Sequence, residues 1–404
     1  MKSVLCIDWG AHGIGDAAEA LARLGYEPVI AGIAWDDIVN NPGFPEAVKE
    51  LLAPVTGERP AFVFTHNFFP SISDVCEKQG IPYLSLVFDS PHMTLTSRAV
   101  TNRVNHIWLF DRGLQEVLTR KGFPGLHHTV LPASSRMAEQ AKRGGLTGES
   151  AQTAQDTAES RRYAHEVCFL GSLYQRDYIF YDQIGYLPPA LKGYLDGVIE
   201  AQQQLFGYDM IGDEKILPEE KIREMAQYVH FDIGKDYLPD PSLLLRDMLR
   251  KKVTSLERFR VLEYLGKRFP VDVYTTPDAA LPEGLRNLGY ADYGTQMPQV
   301  FYSSKININL TLRTIRTGIP LRAMDILASG GFLISDWRPE LAECFRDGEE
   351  VVLVHTKEEM ADRIAWYLNH DAEREAIAAN GQKAALERYS TDRVFGRMIE
   401  EMEI

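Results

Sequence analysis

The chain has 404 residues, 45% of them hydrophobic, too long for one compact core and rich enough to fill two of roughly 150 to 200 residues each. With 57 acidic against 43 basic residues its formal net charge is -14, which repels nucleic acid and anionic membrane over most of the surface. Nucleic acid is excluded as a partner on this ground, and any anionic ligand must be met by a local cluster of donors.

SVLCIDW reads as a strand, DAAEALARLGY as an amphipathic helix ending at Gly25, EPVIAGI as a strand and FPEAVKELLAPV as a helix. AFVFTHN, SISDVCEKQG, PYLSLVFDSP and HIWLFDR continue the alternation, which predicts a parallel, doubly wound α/β domain over residues 1–135. Residues 136–165 are rich in Ala, Gln, Ser, Thr and charge and poor in large apolar side chains, so a flexible excursion is expected there, at the domain boundary. EVCFLGS opens a second domain over residues 166–390. Within it, residues from about 178 to 252 carry apolar side chains at three- and four-residue spacing, an inserted helical subdomain that would cover an active site or form a homodimer face. VDVYTT, QVFYSSKININL, FLISD and VVLVHT then resume the sheet, and helices finish the chain.

Cys6, Cys76, Cys168 and Cys344 show no CxxC spacing and read as free thiols of a reducing compartment. Asp8 interrupts any secretory core, and no apolar run approaches the roughly 20 residues of a membrane span, so a cytoplasmic protein without a transmembrane segment is expected.

The stretch from Ser304 to Val352 is the most informative. KININL, GIPLRAMDILASGGFLISDW and PELAECFRDGEEVVLV read as a polar-tipped strand, a loop, a short helix ending at a glycine pair, a second strand, and a helix and strand beyond. Such a unit presents a helix N-terminus at a strand's carboxyl end, where nucleotide-type ligands sit in open α/β sheets. In the first loop, Gly13, Gly15 and Ala18 match a dinucleotide fingerprint, with Asp36 near the distance of a ribose ligand, so an NAD(P)-dependent oxidoreductase is one expected class. The fingerprint begins too far past the strand end, however, and a glycine loop entering a cleft, with His12 projecting there, competes with it.

The strings PAFVFTHNFFPSISDVCEKQGIPYLSLVFDSPHMTL, HIWLFDR and HTVLPAS resemble the N-terminal domain that accompanies CgeB or YkvP spore-type glycosyltransferases. HEVCFLGSLYQRD through ERYSTDRVF resembles that family's group 1 type C-terminal domain. The resemblance implies a GT-B fold: two Rossmann-like domains facing across a cleft, the nucleotide-sugar on the second and the acceptor on the first. Residues 391–404 would form a helix crossing back to the first domain. It also implies a metal-independent enzyme with no required cofactor, its substrate a nucleotide-diphosphate-sugar donor, and no DxD triplet occurs in the chain.

Without a metal, Arg, Lys and backbone N–H groups must stabilise the departing diphosphate. Arg176 after Gly171, and Arg322 among the cations Lys305, Arg313 and Arg316, are the expected phosphate contacts. Asp325 stands where related donor domains hold the ribose, followed by the turn of Gly330 and Gly331. Thr317 occupies the place where retaining members carry an acid that touches the donor sugar. Asp89 and His92, at a strand's carboxyl edge, are the candidate bases for the acceptor hydroxyl, with His66, Asn67 and His12 on the acceptor side. The expected function is transfer of a sugar to a protein, glycan or small-molecule acceptor. A catalytically inactive GT-B protein that binds nucleotide-sugar or glycan, suggested by Thr317, is the alternative.

Overall fold

The computed structural model describes residues 2–33, 48, 59–143, 163–230 and 240–402. The expected helix FPEAVKELLAPV apart from Val48, most of the low-complexity excursion, and Asp36 lie outside them.

Two six-stranded parallel sheets form the two halves. The first contains β1 (Lys2–Asp8), β2 (Tyr26–Gly32), β3 (Phe62–His66), β4 (Tyr83–Val87), β5 (Asn105–Leu109) and β6 (Leu126–His128), in the order β2-β1-β3-β4-β5-β6. The second contains β7 (His165–Leu170), β8 (Val271–Tyr274), β9 (Arg286–Asn287), β10 (Ser304–Asn309), β11 (Leu333–Asp336) and β12 (Val352–Val354), in the order β12-β11-β10-β7-β8-β9. Strands such as FVFTH and YLSLV are buried along their whole length because helices cover both sheet faces, and this is why they read as continuous rather than alternating apolar runs.

Two features depart from the sequence expectation. QVFYSSKININL is not one strand: Gln296–Tyr302 is helical and only Ser304–Asn309 pairs in the sheet. Asp292 Oδ1 accepts from the Thr295 amide at 2.9 Å to start the turn, and the Ser304 hydroxyl donates to the Val300 carbonyl at 2.7 Å to end it. The described beginning of the expected excursion is also ordered. Ser135–Arg143 is a helix whose Met137 and Ala141 are buried against the second half, joining the cluster of Val300 and Met324 in the case of Met137.

Among the described residues, three further ties join the halves. Helix Thr391–Glu401 crosses back and buries Val394, Phe395 and Met398 in the first half's core with Phe62 and Phe64, while Asp392 pairs with Arg23 at 2.7 Å. Helix Pro241–Gly266, capped by Asp240, starts in the first half, where Leu243 joins its core and Asp240 pairs with Lys121. At about 1.5 Å per residue its 26 residues span about 39 Å from the first half into the second, so this helix is a strut between the lobes. The third tie is a hydrogen-bonded junction around Asp111 and Thr317, described below.

Candidate active site

In open parallel sheets the ligand crevice lies outside the carboxyl ends of the strands, where the strand order reverses. In the second sheet that point falls between β7 and β10, since β8 and β9 extend one way from β7 and β10 to β12 the other. A cavity of about 370 Å³ lies there. Its floor is Leu170, Gly171 and Ser172 at the end of β7 and Asn309, Leu310 and Thr311 at the end of β10; its roof is Phe88 to His92, after β4 of the first sheet. Thr314 closes one edge by donating to the Ser90 carbonyl at 2.8 Å across the lobes.

Arg322 and Arg258 enter the cavity from the second lobe. Arg322, in the first turn of helix Leu321–Ala328, donates Nη1 to the Leu170 carbonyl, and its Nε is buried without a partner. Arg258, buried in the middle of helix Pro241–Gly266, donates to the carbonyls of Ser172 and Leu310, and its Nε too has no partner. Its guanidinium lies 5.0 Å from the Tyr174 ring centre and 5.6 Å from that of Phe169. Neither arginine forms an ion pair among the described residues. Burial lowers the Arg258 pKa, Tyr174 opposes the shift, and the charge of Arg322 adds to it. With Lys251 also in the wall, three cations face a lining whose one acid among the described residues is Asp89. A buried and a half-buried guanidinium resting on carbonyl oxygens, each with a buried Nε left without a partner, are a site for an anion. Gly171 permits it: a Cβ there would stand 3.3 Å from the Phe169 ring and 3.7 Å from Arg258.

On the opposite wall, Asn67 fixes the loop that carries the acid. Its backbone is left-handed (φ 62°), its Nδ2 donates to Asp89 Oδ2 at 2.6 Å, and its Oδ1 accepts from the amides of Phe88 and Asp89 at 3.2 and 3.3 Å. Asp89 is exposed into the cavity. His92 Nε2 lies 3.1 Å from the Phe68 carbonyl oxygen and 3.3 Å from the Phe68 amide nitrogen, two contacts that fix the ring's orientation and favour opposite tautomers. Burial holds the imidazole below its ordinary pKa, outweighing the Phe68 carbonyl and the Asp89 charge, so the ring is neutral at neutral pH.

Asp325, His12 and His66 lie in an adjoining recess of about 40 Å³ that shares Phe88 with the larger cavity. Asp325, one helical turn beyond Arg322, is 3% exposed and accepts from the Tyr293 hydroxyl at 3.1 Å. Burial pushes its pKa up to about 7 against the opposing effects of Arg322 and the Tyr293 hydrogen bond. His12 stacks on Tyr293 with ring centres 4.2 Å apart, closing the recess between the lobes. His66 sits behind it, its pKa pushed down to about 4 by burial.

The structure thus brings Asp89, His92, Gly171 and Arg322 to one cavity and places Asn67, Asp325, His12 and His66 beside it. Four other expected residues do not line it. Arg176 is an exposed loop residue with left-handed backbone (φ 56°), paired with Asp278 at 3.2 Å. Gly330 and Gly331 lie at the opposite end of their helix from the cleft, because β11 starts just after them and a parallel strand begins at the sheet edge away from its carboxyl end. Their role is packing: a Cβ at Gly331 would meet the Phe301 carbonyl at 2.9 Å. Thr317 is turned into the lobe junction. Its hydroxyl accepts from the Gly113 amide at 2.7 Å and lies 2.7 Å from Glu340 Oε1 and 3.0 Å from Asp111 Oδ1, its one proton going to the nearer carboxylate. Of the other loop cations, Arg313 is buried against Glu257, with Nε 2.8 Å from Oε2, and Arg316 points toward the buried group of Arg250, Asp209 and Asp247.

Sequence reasoning missed Arg258, Lys251 and Tyr293. Arg258 had a legible signal: it shares a helical face with Thr254, Leu262 and Leu265, all buried, so it is a charge on an apolar stripe. Tyr293 had none, since it lies in an irregular segment before a helix.

Residues 246–400 match the family model described as glycosyl transferase-like. No curated protein matches the chain in sequence. Among solved structures, a glycosyltransferase from Rickettsia africae ESF-5 is similar over 99% of this chain and 97% of its own, at 11% identity and a TM-score of 0.51. Sucrose-phosphate synthase from Thermosynechococcus elongatus is similar over 100% of this chain and 99% of its own, at 10% identity and a TM-score of 0.51. AviGT4, a glycosyltransferase involved in avilamycin A biosynthesis, is similar over 100% of this chain and 97% of its own, at 12% identity and a TM-score of 0.51. Two parallel six-stranded sheets facing across a cleft, matched along almost the whole length of these enzymes, give the chain the GT-B fold.

Proposed function

We propose that the chain is a glycosyltransferase of the CgeB-like kind its sequence resembles, moving a sugar from a nucleotide-diphosphate donor to an acceptor hydroxyl. The observation that carries this reading is the convergence, at the reversal point of the second sheet, of two arginines without carboxylate partners among the described residues, opposite an acid and a neutral histidine from the other lobe.

In this reading the diphosphate lies along Arg258, Arg322 and the amide end of helix Leu321–Ala328. As the bond from the anomeric carbon to the phosphate oxygen breaks, negative charge grows on the leaving group. The guanidiniums are already in place to receive it, so no reorganisation is needed at that moment. The nucleoside extends into the adjoining recess, where Asp325 hydrogen-bonds the ribose once Tyr293 yields. On the other wall Asp89, aimed by Asn67, takes the acceptor's proton, with His92 beside it to orient the donor sugar.

A thermal-shift series of UDP, GDP, TDP and CDP, followed by calorimetry, tests the proposal, because a ligand held only by the native state raises its melting temperature. One nucleotide is expected to stabilise the wild type and not Arg258→Ala. Stabilisation that survives in both Arg258→Ala and Arg322→Ala would remove the cavity from consideration as the donor site.

A further inference from the structure

Beside the cavity and opening into it runs a larger groove of about 650 Å³. Pro91 and Lys251 belong to both walls, so the groove continues from the cleft on the side where Asp89 stands. Phe180, Ile184, Tyr228, Leu244 and Met248 of the helical insert form most of it, and Met93 of the first lobe completes it. Phe180, Tyr228 and Met93 are 47%, 36% and 43% exposed. Large apolar side chains left open on a concave wall of this size have the composition of a small-molecule site, apolar with few polar groups. Of the wall's polar residues, Asp247 is committed to the buried Arg250, accepting at 2.8 Å, and Lys251 Nζ rests 5.3 Å from the Phe180 ring centre, which leaves Gln183 and His230 as the few polar groups beside the apolar side chains.

We propose that this groove is the acceptor subsite and that the acceptor is a small, largely apolar molecule, a phenol or fused-ring alcohol, lying along Phe180, Tyr228 and Met248 with its hydroxyl at Asp89. The proposal rests on the glycosyltransferase reading above. A polysaccharide or a polar peptide would give up water from many polar groups against walls that return few hydrogen bonds, whereas a ring system exchanges apolar surface for apolar surface. In the transfer, Asp89 takes the acceptor's hydroxyl proton and the acceptor oxygen bonds the anomeric carbon. The bond from that carbon to the phosphate oxygen breaks, and its electron pair leaves with the nucleoside diphosphate.

The test is a fluorescence titration of the full chain with 7-hydroxycoumarin and 2-naphthol, with maltotriose as a polar competitor and the four nucleoside diphosphates titrated in parallel. Saturable binding of a phenol is expected, weakened at least about ten-fold in Phe180→Ala and in Met93→Lys, with melting temperature and nucleotide affinity unchanged. Both substitutions are at exposed side chains, so a folding defect will not mimic the loss. Absence of phenol binding, equal binding by both variants, or displacement by maltotriose overturns the proposal, even where a nucleoside diphosphate still binds. Groove-dependent phenol binding without any nucleotide binding upholds the ligand class of the groove and sinks the glycosyltransferase reading alone.

Discussion

Arg258 and Arg322 reach the same strand ends from different helices: one donates to the carbonyls of Ser172 and Leu310, the other to that of Leu170, and neither meets a carboxylate among the described residues. Buried guanidiniums are ordinarily paired. Arg250 and Arg313 of the same lobe follow that rule, against Asp247 and Glu257. The contrast marks the first two as groups whose partner is a ligand. Each of Arg258→Ala and Arg322→Ala should weaken binding of the free nucleoside diphosphate by about 1.5–3 kcal/mol, the range for hydrogen bonds to a charged group. Calorimetry on variants whose melting temperature is retained measures this, and an unchanged affinity removes the residue from the site.

Asp325 gives the chain a pH signature. Its pKa in the folded state, about 7, lies above the ordinary 3.8 because burial disfavours the carboxylate. The native state therefore keeps a proton that the unfolded chain releases from about pH 4 upward. Its contribution to stability is fully present below that pH and is lost as pH rises toward 7, with a slope of about 1.4 kcal/mol per pH unit for one proton. Asp325→Asn removes the titrating group, so in urea unfolding the wild type should lose stability relative to the variant as pH rises from 4 to 7. Parallel curves would show that the carboxyl is not buried as described.

The strands and the two-lobed plan were legible because each buried strand is a short apolar run bounded by turn residues, and because the alternation with helices admits few topologies. That Asp89, His92 and Gly171 line the cavity was legible for the same reason: they sit just past apolar runs, and parallel sheets place such positions at the cleft. The glycine pair misled, since a motif near a site in sequence lay on the far side of an eight-residue helix. Arg176 and Arg258 misled in opposite directions. A loop arginine after a strand turned to solvent, and a mid-helix arginine reached the cavity from 86 positions away from its Ser172 partner. Side-chain direction on a long helix depends on what packs against it, and the sequence around Arg258 does not contain the Ser172 and Leu310 carbonyls.

Asn67 holds Asp89 through a side-chain bond and two backbone amides, so it is a positioning residue for the candidate base. Asp89→Asn should lower the turnover number by about 10²–10⁴ with nucleotide affinity unchanged, the range for removal of a general base. Asn67→Ala should lower it less and shift the acceptor's apparent KM, because the carboxylate remains but wanders. Equal turnover by Asp89→Asn and the wild type would pass the role to His92.

The lobe junction predicts how the two halves are held. Asp111 caps its own helix and accepts from the Arg316 amide at 2.7 Å and the Thr317 amide at 3.0 Å, both from the other lobe. Glu340 receives His128 Nε2 at 2.6 Å and the Arg112 amide at 2.9 Å. Burial acts to raise the Glu340 pKa, but the bonds from His128, Thr317 and Arg112 outweigh it and hold the group ionised. Such close approach requires glycine on the facing loop: a Cβ at Gly318 would stand 2.5 Å from the Phe110 carbonyl oxygen, a contact backbone cannot relieve without the lobes moving apart. Gly318→Ala should therefore cost about 1–3 kcal/mol of stability, the usual range for overpacking, and leave the lobes further apart. Thr317→Val keeps the shape but strips the hydroxyl from the Gly113 amide and both carboxylates, with a loss of about 1–3 kcal/mol and no change in volume. Small-angle scattering separates the two: the radius of gyration should rise for Gly318→Ala and stay constant for Thr317→Val. Identical scattering from Gly318→Ala and the wild type would mean that the junction yields locally, and that the other ties, the crossing helix and the strut among them, set the distance between the lobes.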